Sequence, residues 1–170
     1  MSNMQLDTLR RIVQEINASV SLHDSLDIMV NHVAEAMHVD VCSIYLLDER
    51  NKRYVLMASK GLKPEAVGHV SLSVGEGLVG LVGKREEIVN LDNAPKHERF
   101  AYLPETGEEL FNSFLGVPVM YRRKVMGVLV VQNKESQDFS EAAESFLVTL
   151  CAQLSGVIAH AHAVGNIDVF

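Results

Sequence analysis

Apolar residues Leu6, Leu9, Val13, Ile16 and Val20 recur at spacings of three and four, which predicts an amphipathic helix with one buried stripe. A second helix follows at once, with Ser21 or Asp24 as its cap and Leu22, Leu26, Val30, Val33 and Met37 facing inward. The period then changes to two. Val41 to Leu47 and Tyr54 to Ser59 read as strands joined by the charged turn from Asp48 to Lys52. Val70, Leu72 and Val74 alternate with polar residues as a half-covered third strand, and Ile88 to Leu91 gives a short fourth. Two continuous apolar runs follow, Ser-Phe-Leu-Gly-Val-Pro-Val-Met-Tyr ending at Tyr121 and Val-Met-Gly-Val-Leu-Val-Val ending at Val131. The basic turn Arg122, Arg123, Lys124 joins them into a hairpin in the middle of a sheet. Strands so apolar need cover on both faces, helices on one and the polar loop from Asn90 to Asn112 on the other. A sheet under such a lid is a place to hold a small molecule.

The last helix begins near Ser140, with Glu141 and Glu144 in its first turn to complement the helix dipole. It carries two apolar stripes, Leu147, Cys151, Leu154, Ile158 and Ala161 on one and Phe146, Leu150, Val157 and Val164 beside it. The sheet covers one stripe; the first helix or a second copy of the chain must cover the other.

At 170 residues and 48% hydrophobic, the chain is expected to be a single domain, residues 1–170, with flanking helices at 1–20 and 140–165. A formal charge of -7 without a basic stripe speaks against a nucleic-acid or anionic-membrane surface. Cys42 and Cys151 stand among apolar residues, far apart in sequence, and read as buried free thiols of a reducing compartment. Asp7, Arg10, Arg11 and Glu15 interrupt any signal-peptide core, and uninterrupted apolar runs fall short of a membrane span, so a cytoplasmic location and no membrane partner are expected.

Gly75-Glu76-Gly77-Leu78-Val79-Gly80 has the dinucleotide-binding spacing, but Gly80 and Gly83 would weaken the helix and end it too early for a crossover. These glycines instead let a short helix lie close against the sheet. His160 and His162 point to different helix faces and His23, His32 and His38 share none, so no metal site assembles. His97, near Asp92, Glu98 and Arg99 in the lid, reads as a loop hydrogen bond. No nucleophile elbow, Cys–His pair or rigid acid pair supports catalysis. The lid does carry binding chemistry. Asn90, Asp92 and Ser113 are candidates for an amide or amine, Arg99 for a carboxylate, with Tyr102 and Asn112 as further polar groups and Tyr45, Phe100 and Phe114 as walls. Ser43 joins them if its strand face is the lidded one, which alternation leaves open.

Two leading helices, a strand hairpin, Gly-Leu-Val-Gly, a lid, then Ser113-Phe114-Leu115-Gly116-Val117-Pro118-Val119 and Gly127-Val128-Leu129 together resemble a GAF domain. Leu9-Arg10-Arg11-Ile12-Val13-Gln14-Glu15, Val41 to Asp48, Gly77 to Gly83 and Pro104-Glu105-Thr106-Gly107-Glu108-Glu109 resemble, more narrowly, the N-terminal GAF domains of nitrogen-type phosphoenolpyruvate-protein phosphotransferases. The resemblance implies an α+β fold, a six-stranded antiparallel sheet with terminal helices on one face and a lid with short helices over the other. It also implies a regulatory, non-catalytic module sensing nitrogen status, with glutamine as the leading ligand and 2-oxoglutarate as a competing regulator. A homodimer through the terminal helices is expected. Phosphotransferase domains, their Mg²⁺ and a phosphocarrier partner would belong to sequence beyond this chain, which has no cofactor of its own and no Gly-Gly-x-x-Ser-His phosphoacceptor motif.

Cyclic-nucleotide GAF domains are similar at Asn133, Lys134, Phe139 and Glu144, but Ala143 stands where their Asp should be. A GAF-fold reductase of free methionine sulfoxide would need reactive cysteines at the pocket, where only Cys42 is a candidate. A bilin attachment would need a Cys beside a His, which neither cysteine has. A dimerisation module with a vestigial pocket is the remaining alternative.

Overall fold

A computed structural model of the chain describes residues 3–100 and 111–164. Helices α1 (Asn3–Ala18) and α2 (Leu22–Met37) precede strands β1 (Val41–Asp48), β2 (Arg53–Lys60) and β3 (Ser71–Ser73). Helix α3 (Gly77–Arg85), strand β4 (Val89–Leu91), the hairpin β5 (Ser113–Tyr121) and β6 (Lys124–Asn133), and helix α4 (Glu141–Ala163) complete the order. The six strands pair antiparallel in the order β3-β2-β1-β6-β5-β4. The antiparallel α+β sheet expected from the sequence is therefore present.

Alternation along the strands sorts the apolar side chains into two layers. Cys42, Ile44, Leu46, Leu115, Val117, Val119, Leu129 and Val131 meet α1, α2 and α4 on one side. Val41, Tyr45, Tyr54, Leu56, Phe114, Val128 and Val130 meet α3 and the loops on the other. Met57 is an extra residue between Leu56, opposite Tyr45, and Ala58, opposite Ile44. This bulge sends both Met57 and Ala58 to the helix side.

The helix ends follow ordinary capping chemistry. Ser21 accepts from the Asp24 amide and Ser140 from the Ala143 amide, each satisfying a donor that the first turn leaves without a partner. The buried stripe of α1 runs through Ile12 and Ile16 with Leu9 against it, while Leu6 is 50% exposed and Val20, beyond the helix end, 91% exposed. The expected stripe is thus rolled by part of a turn, because Ile12 rather than Val13 meets the core. In the hairpin, Arg122 and Arg123 both have positive φ, the signature of a two-residue type I′ turn, so Lys124 belongs to β6 rather than the turn.

By length and composition alone α4 could cross a membrane. Phe146, Leu147, Leu150, Cys151, Leu154 and Ile158 are buried in the helix-side core.

Candidate functional site

Helix α3 lies close on the sheet because two of its positions cannot carry a side chain. A Cβ on Gly80 would strike the Gly75 backbone, and one on Gly83 the Tyr54 hydroxyl, which bears out the structural reading of these glycines. Glu76 precedes the helix, but its carboxylate turns back to accept from the Ser73 amide at 2.9 Å. No side chain among the described residues caps α3. The first backbone hydrogen bond of the helix runs from the Gly80 amide to the Glu76 carbonyl, and the amides of Gly77, Leu78 and Val79 meet no acceptor among the described residues.

These residues open onto a cavity. Its walls are Tyr45 on β1, Val130 and Gln132 on β6, Phe114 on β5, Leu72 on β3, Gly77, Leu78 and Val79, and Ala94 and Phe100 from the segment that crosses above. The cavity volume is about 30 Å³, room for about one water. Sites that enclose drug-sized ligands start near ~300 Å³, so the cavity as it stands is about a tenth of that size. Gln132 is 8% exposed and has no hydrogen-bond partner among the described residues. Arg99, which follows the segment's short 3-10 turn (Ala94–Lys96), donates from Nη1 to the Gly75 carbonyl at 2.8 Å and straps that segment to the turn before α3. Its amide donates to His97 Nδ1 at 3.0 Å, the loop hydrogen bond expected of His97.

Of the residues singled out from sequence, Tyr45, Phe100 and Phe114 meet on this cavity. Ser43 lies on the same face of β1 but outside the cavity, its hydroxyl 2.9 Å from that of Ser59. Tyr102 and the Pro104 to Glu109 motif fall outside the described residues.

The remaining polar candidates are not on the cavity walls, and several converge on the segment 134–140 between β6 and α4. Asn90 alternates out of the cavity side of β4; its Nδ2 donates to the Phe139 carbonyl and to Glu144 Oε2, each at 2.9 Å. Its Oδ1 is buried with no partner among the described residues. Asp92 is exposed, and its carbonyl, not its carboxylate, accepts from Ser136 Oγ at 2.8 Å. Asn112 Nδ2 donates to the Lys134 carbonyl at 2.8 Å. Ser113 Oγ donates to the Glu135 carbonyl and accepts from the Gln137 amide. Asp40 and Asn133 add the Lys134 amide to Asp40 Oδ2 and the Asp40 amide to Asn133 Oδ1. The two described ends of the lid are therefore clasped to the start of α4. Asn90 and Ser113 are turned away by strand alternation, and Arg99 is committed to a carbonyl rather than to an open site.

Sequence reasoning missed Gln132 and the α3 amides. Gln132 continues the alternation of Val128 and Val130, and the lack of a Ser, Thr, Asp or Asn before Gly77 marks an uncapped helix.

Cys42 and Cys151 lie on the helix side of the sheet, not at the cavity. Burial pushes both thiols well above their ordinary range, and Cys151 pushes Cys42 further. Burial, with Glu86 nearby, also raises Tyr54. Among the described residues no group of three or more His, Cys, Asp or Glu could hold a metal ion.

A six-stranded antiparallel sheet thus carries α1, α2 and α4 on one face and α3 with the cavity on the other. Residues 21–158 match the family model of the GAF domain, and the chain belongs to that family. The crystal structure of the GAF domain from Acinetobacter phosphoenolpyruvate-protein phosphotransferase is 84% identical, covers 98% of this chain and 100% of that one, and superposes with a TM-score of 0.90. The GAF domain of the corresponding protein from Coxiella burnetii is 44% identical over the same shares, with a TM-score of 0.93. The Escherichia coli (strain K12) protein named phosphoenolpyruvate-dependent phosphotransferase system is 44% identical over 153 residues, 90% of this chain and 20% of the relative. The chain thus spans about one fifth of the length of that relative, and it is a GAF domain of the phosphoenolpyruvate-protein phosphotransferase kind.

Proposed function

We propose that this GAF domain is a regulatory receptor for a nitrogen-status metabolite, with L-glutamine favoured, and that its occupancy controls phosphoryl transfer by domains beyond this chain. One observation carries the reading. A cavity with unspent hydrogen-bonding groups is walled by Ala94 and Phe100, and Asn90, Asp92, Asn112 and Ser113 on either side of residues 101–110 are bonded to the segment that starts α4. Ligand entry displaces the segment bearing Phe100, since the closed cavity holds about 30 Å³. Displacement at residues 91–100 then pulls on Ser136 through the Asp92 carbonyl, and α4 responds. The ligand biases this equilibrium only by its differential affinity for the open and closed arrangements. A second copy of the chain on α1 and α4 would complete the relay, covering Leu6, Val148 and Val164, which are between 43% and 54% exposed.

Thermal unfolding with L-glutamine, 2-oxoglutarate and cyclic nucleotides tests the reading. A ligand at ~100 times its Kd adds about 2.7 kcal/mol, and for a domain of this size the midpoint rises by roughly 5 to 10 °C. No rise with any of them would favour the vestigial-pocket alternative, which the small cavity supports and the uncapped α3 amides oppose. The sulfoxide-reductase alternative is disfavoured by the burial of both thiols on the helix side of the sheet. Turnover of free methionine sulfoxide that disappears in Cys42→Ser would restore it.

A further inference from the structure

We infer that the cavity is a carboxylate site, in which one carboxylate of the ligand is held by the amides of Gly77, Leu78 and Val79 and by the side-chain N–H of Gln132. The inference rests on the receptor reading above and specifies its chemistry. Helix α3 runs for nine residues, and its first three, all buried and with amides that meet no acceptor among the described residues, line the cavity. The residue placed to cap them, Glu76, is engaged with the Ser73 amide instead. A helix start carries about half a positive charge, favourable to an anion and costly to bury unanswered. The second observation is independent of the helix. Gln132, on the sheet wall of the same cavity, is 8% exposed, and its carboxamide makes no hydrogen bond among the described residues. Both sets of donors line the same cavity.

The walls also decide which anion. Among the described residues no Lys, Arg or His lines the cavity, and Arg99 is spent on the Gly75 carbonyl behind the helix start. Half a charge and neutral donors match a monoanionic carboxylate better than a phosphate dianion, which draws full cations. Arg99, the carboxylate partner expected from sequence, is thereby replaced by backbone donors.

The test uses the ¹⁵N-labelled chain, with backbone and side-chain amide spectra recorded while titrating sodium acetate, its neutral isostere acetamide, and sodium phosphate at constant ionic strength. Acetate is expected to give saturable shifts at Gly77, Leu78, Val79 and the Gln132 carboxamide, with acetamide and phosphate giving none. In Gln132→Leu the acetate Kd should rise roughly 2- to 10-fold, the worth of one hydrogen bond. The same spectra report whether that variant folds, and the wild-type comparison decides the matter if it does not. Absence of a saturable acetate effect at the α3 amides, or an equal effect of acetamide or phosphate, overturns the inference. Companion titrations with L-glutamine and its C-terminal amide separate the two levels. Equal cavity shifts from both sink the carboxylate site and leave the receptor standing, whereas silence from acetate, L-glutamine and 2-oxoglutarate alike sinks both.

Discussion

The two faces of the β5–β6 region handle polar groups in opposite ways. On the helix side, Asn90, Ser113, Asn133 and Asp40 each hold a partner in or around segment 134–140. On the cavity side, the α3 amides and Gln132 hold none among the described residues. Polar groups left without partners cost stability when buried, so the α3 amides and Gln132, which line one cavity, mark where the fold leaves bonds for something else to complete, while on the helix side Asn90 Oδ1 is the buried side-chain atom without a partner among the described residues. Polar residues that look like ligand donors can thus be the mechanical linkage, while donors for the ligand come from backbone and a single carboxamide.

The comparison can be broken from either side, and the largest effect is expected where α3 touches the sheet. Gly80→Val drives a branched side chain into the Gly75 backbone, lifting α3 off its turn. Urea unfolding should show a loss of about 3 kcal/mol, the upper range for overpacking. Asn90→Leu strips donors from the Phe139 carbonyl and the Glu144 carboxylate. Relief of the unpartnered Oδ1 offsets part of that, leaving a loss of about 2 kcal/mol. Ser113→Ala removes a donor and an acceptor from the connection to α4 and should cost roughly 1 to 2 kcal/mol. It should also speed hydrogen exchange at Gln137.

The buried thiols set a pH dependence with a definite sign. Cys42 and Cys151 are raised above their ordinary 9.0 only in the folded chain. Above about pH 9 the unfolded chain therefore releases protons that the folded one keeps, and stability falls as pH rises. Tyr54, raised from 10.0, adds to the fall at higher pH. Unfolding midpoints measured at pH 8 and pH 10 should show the decline, and Cys151→Ala should lessen it.

Much of the fold was legible. Continuous apolar runs gave the central hairpin, Ser21 and Ser140 gave helix starts, and the spaced glycines gave a helix pressed on the sheet. Site aromatics were legible for the same reason, since Tyr45, Phe100 and Phe114 are large residues beside a lid. The polar half was not. Alternation tells that Asn90 and its neighbours Val89 and Leu91 face opposite ways, but not which way is the cavity. Backbone amides have no letter in a sequence, and Gln132 sits just past the end of an apolar run that reads as pure core.

The smallest stability effect is the most informative. Equilibrium urea unfolding of Gln132→Leu, without ligand and beside Asn90→Leu, compares the two faces directly. A carboxamide that bonds nothing can be replaced by a similar apolar volume without loss, so Gln132→Leu should match the wild type or gain up to about 1 kcal/mol. A loss as large as that of Asn90→Leu would show that Gln132 is already holding the fold together, and would contradict the assignment of the cavity's polar groups to a ligand.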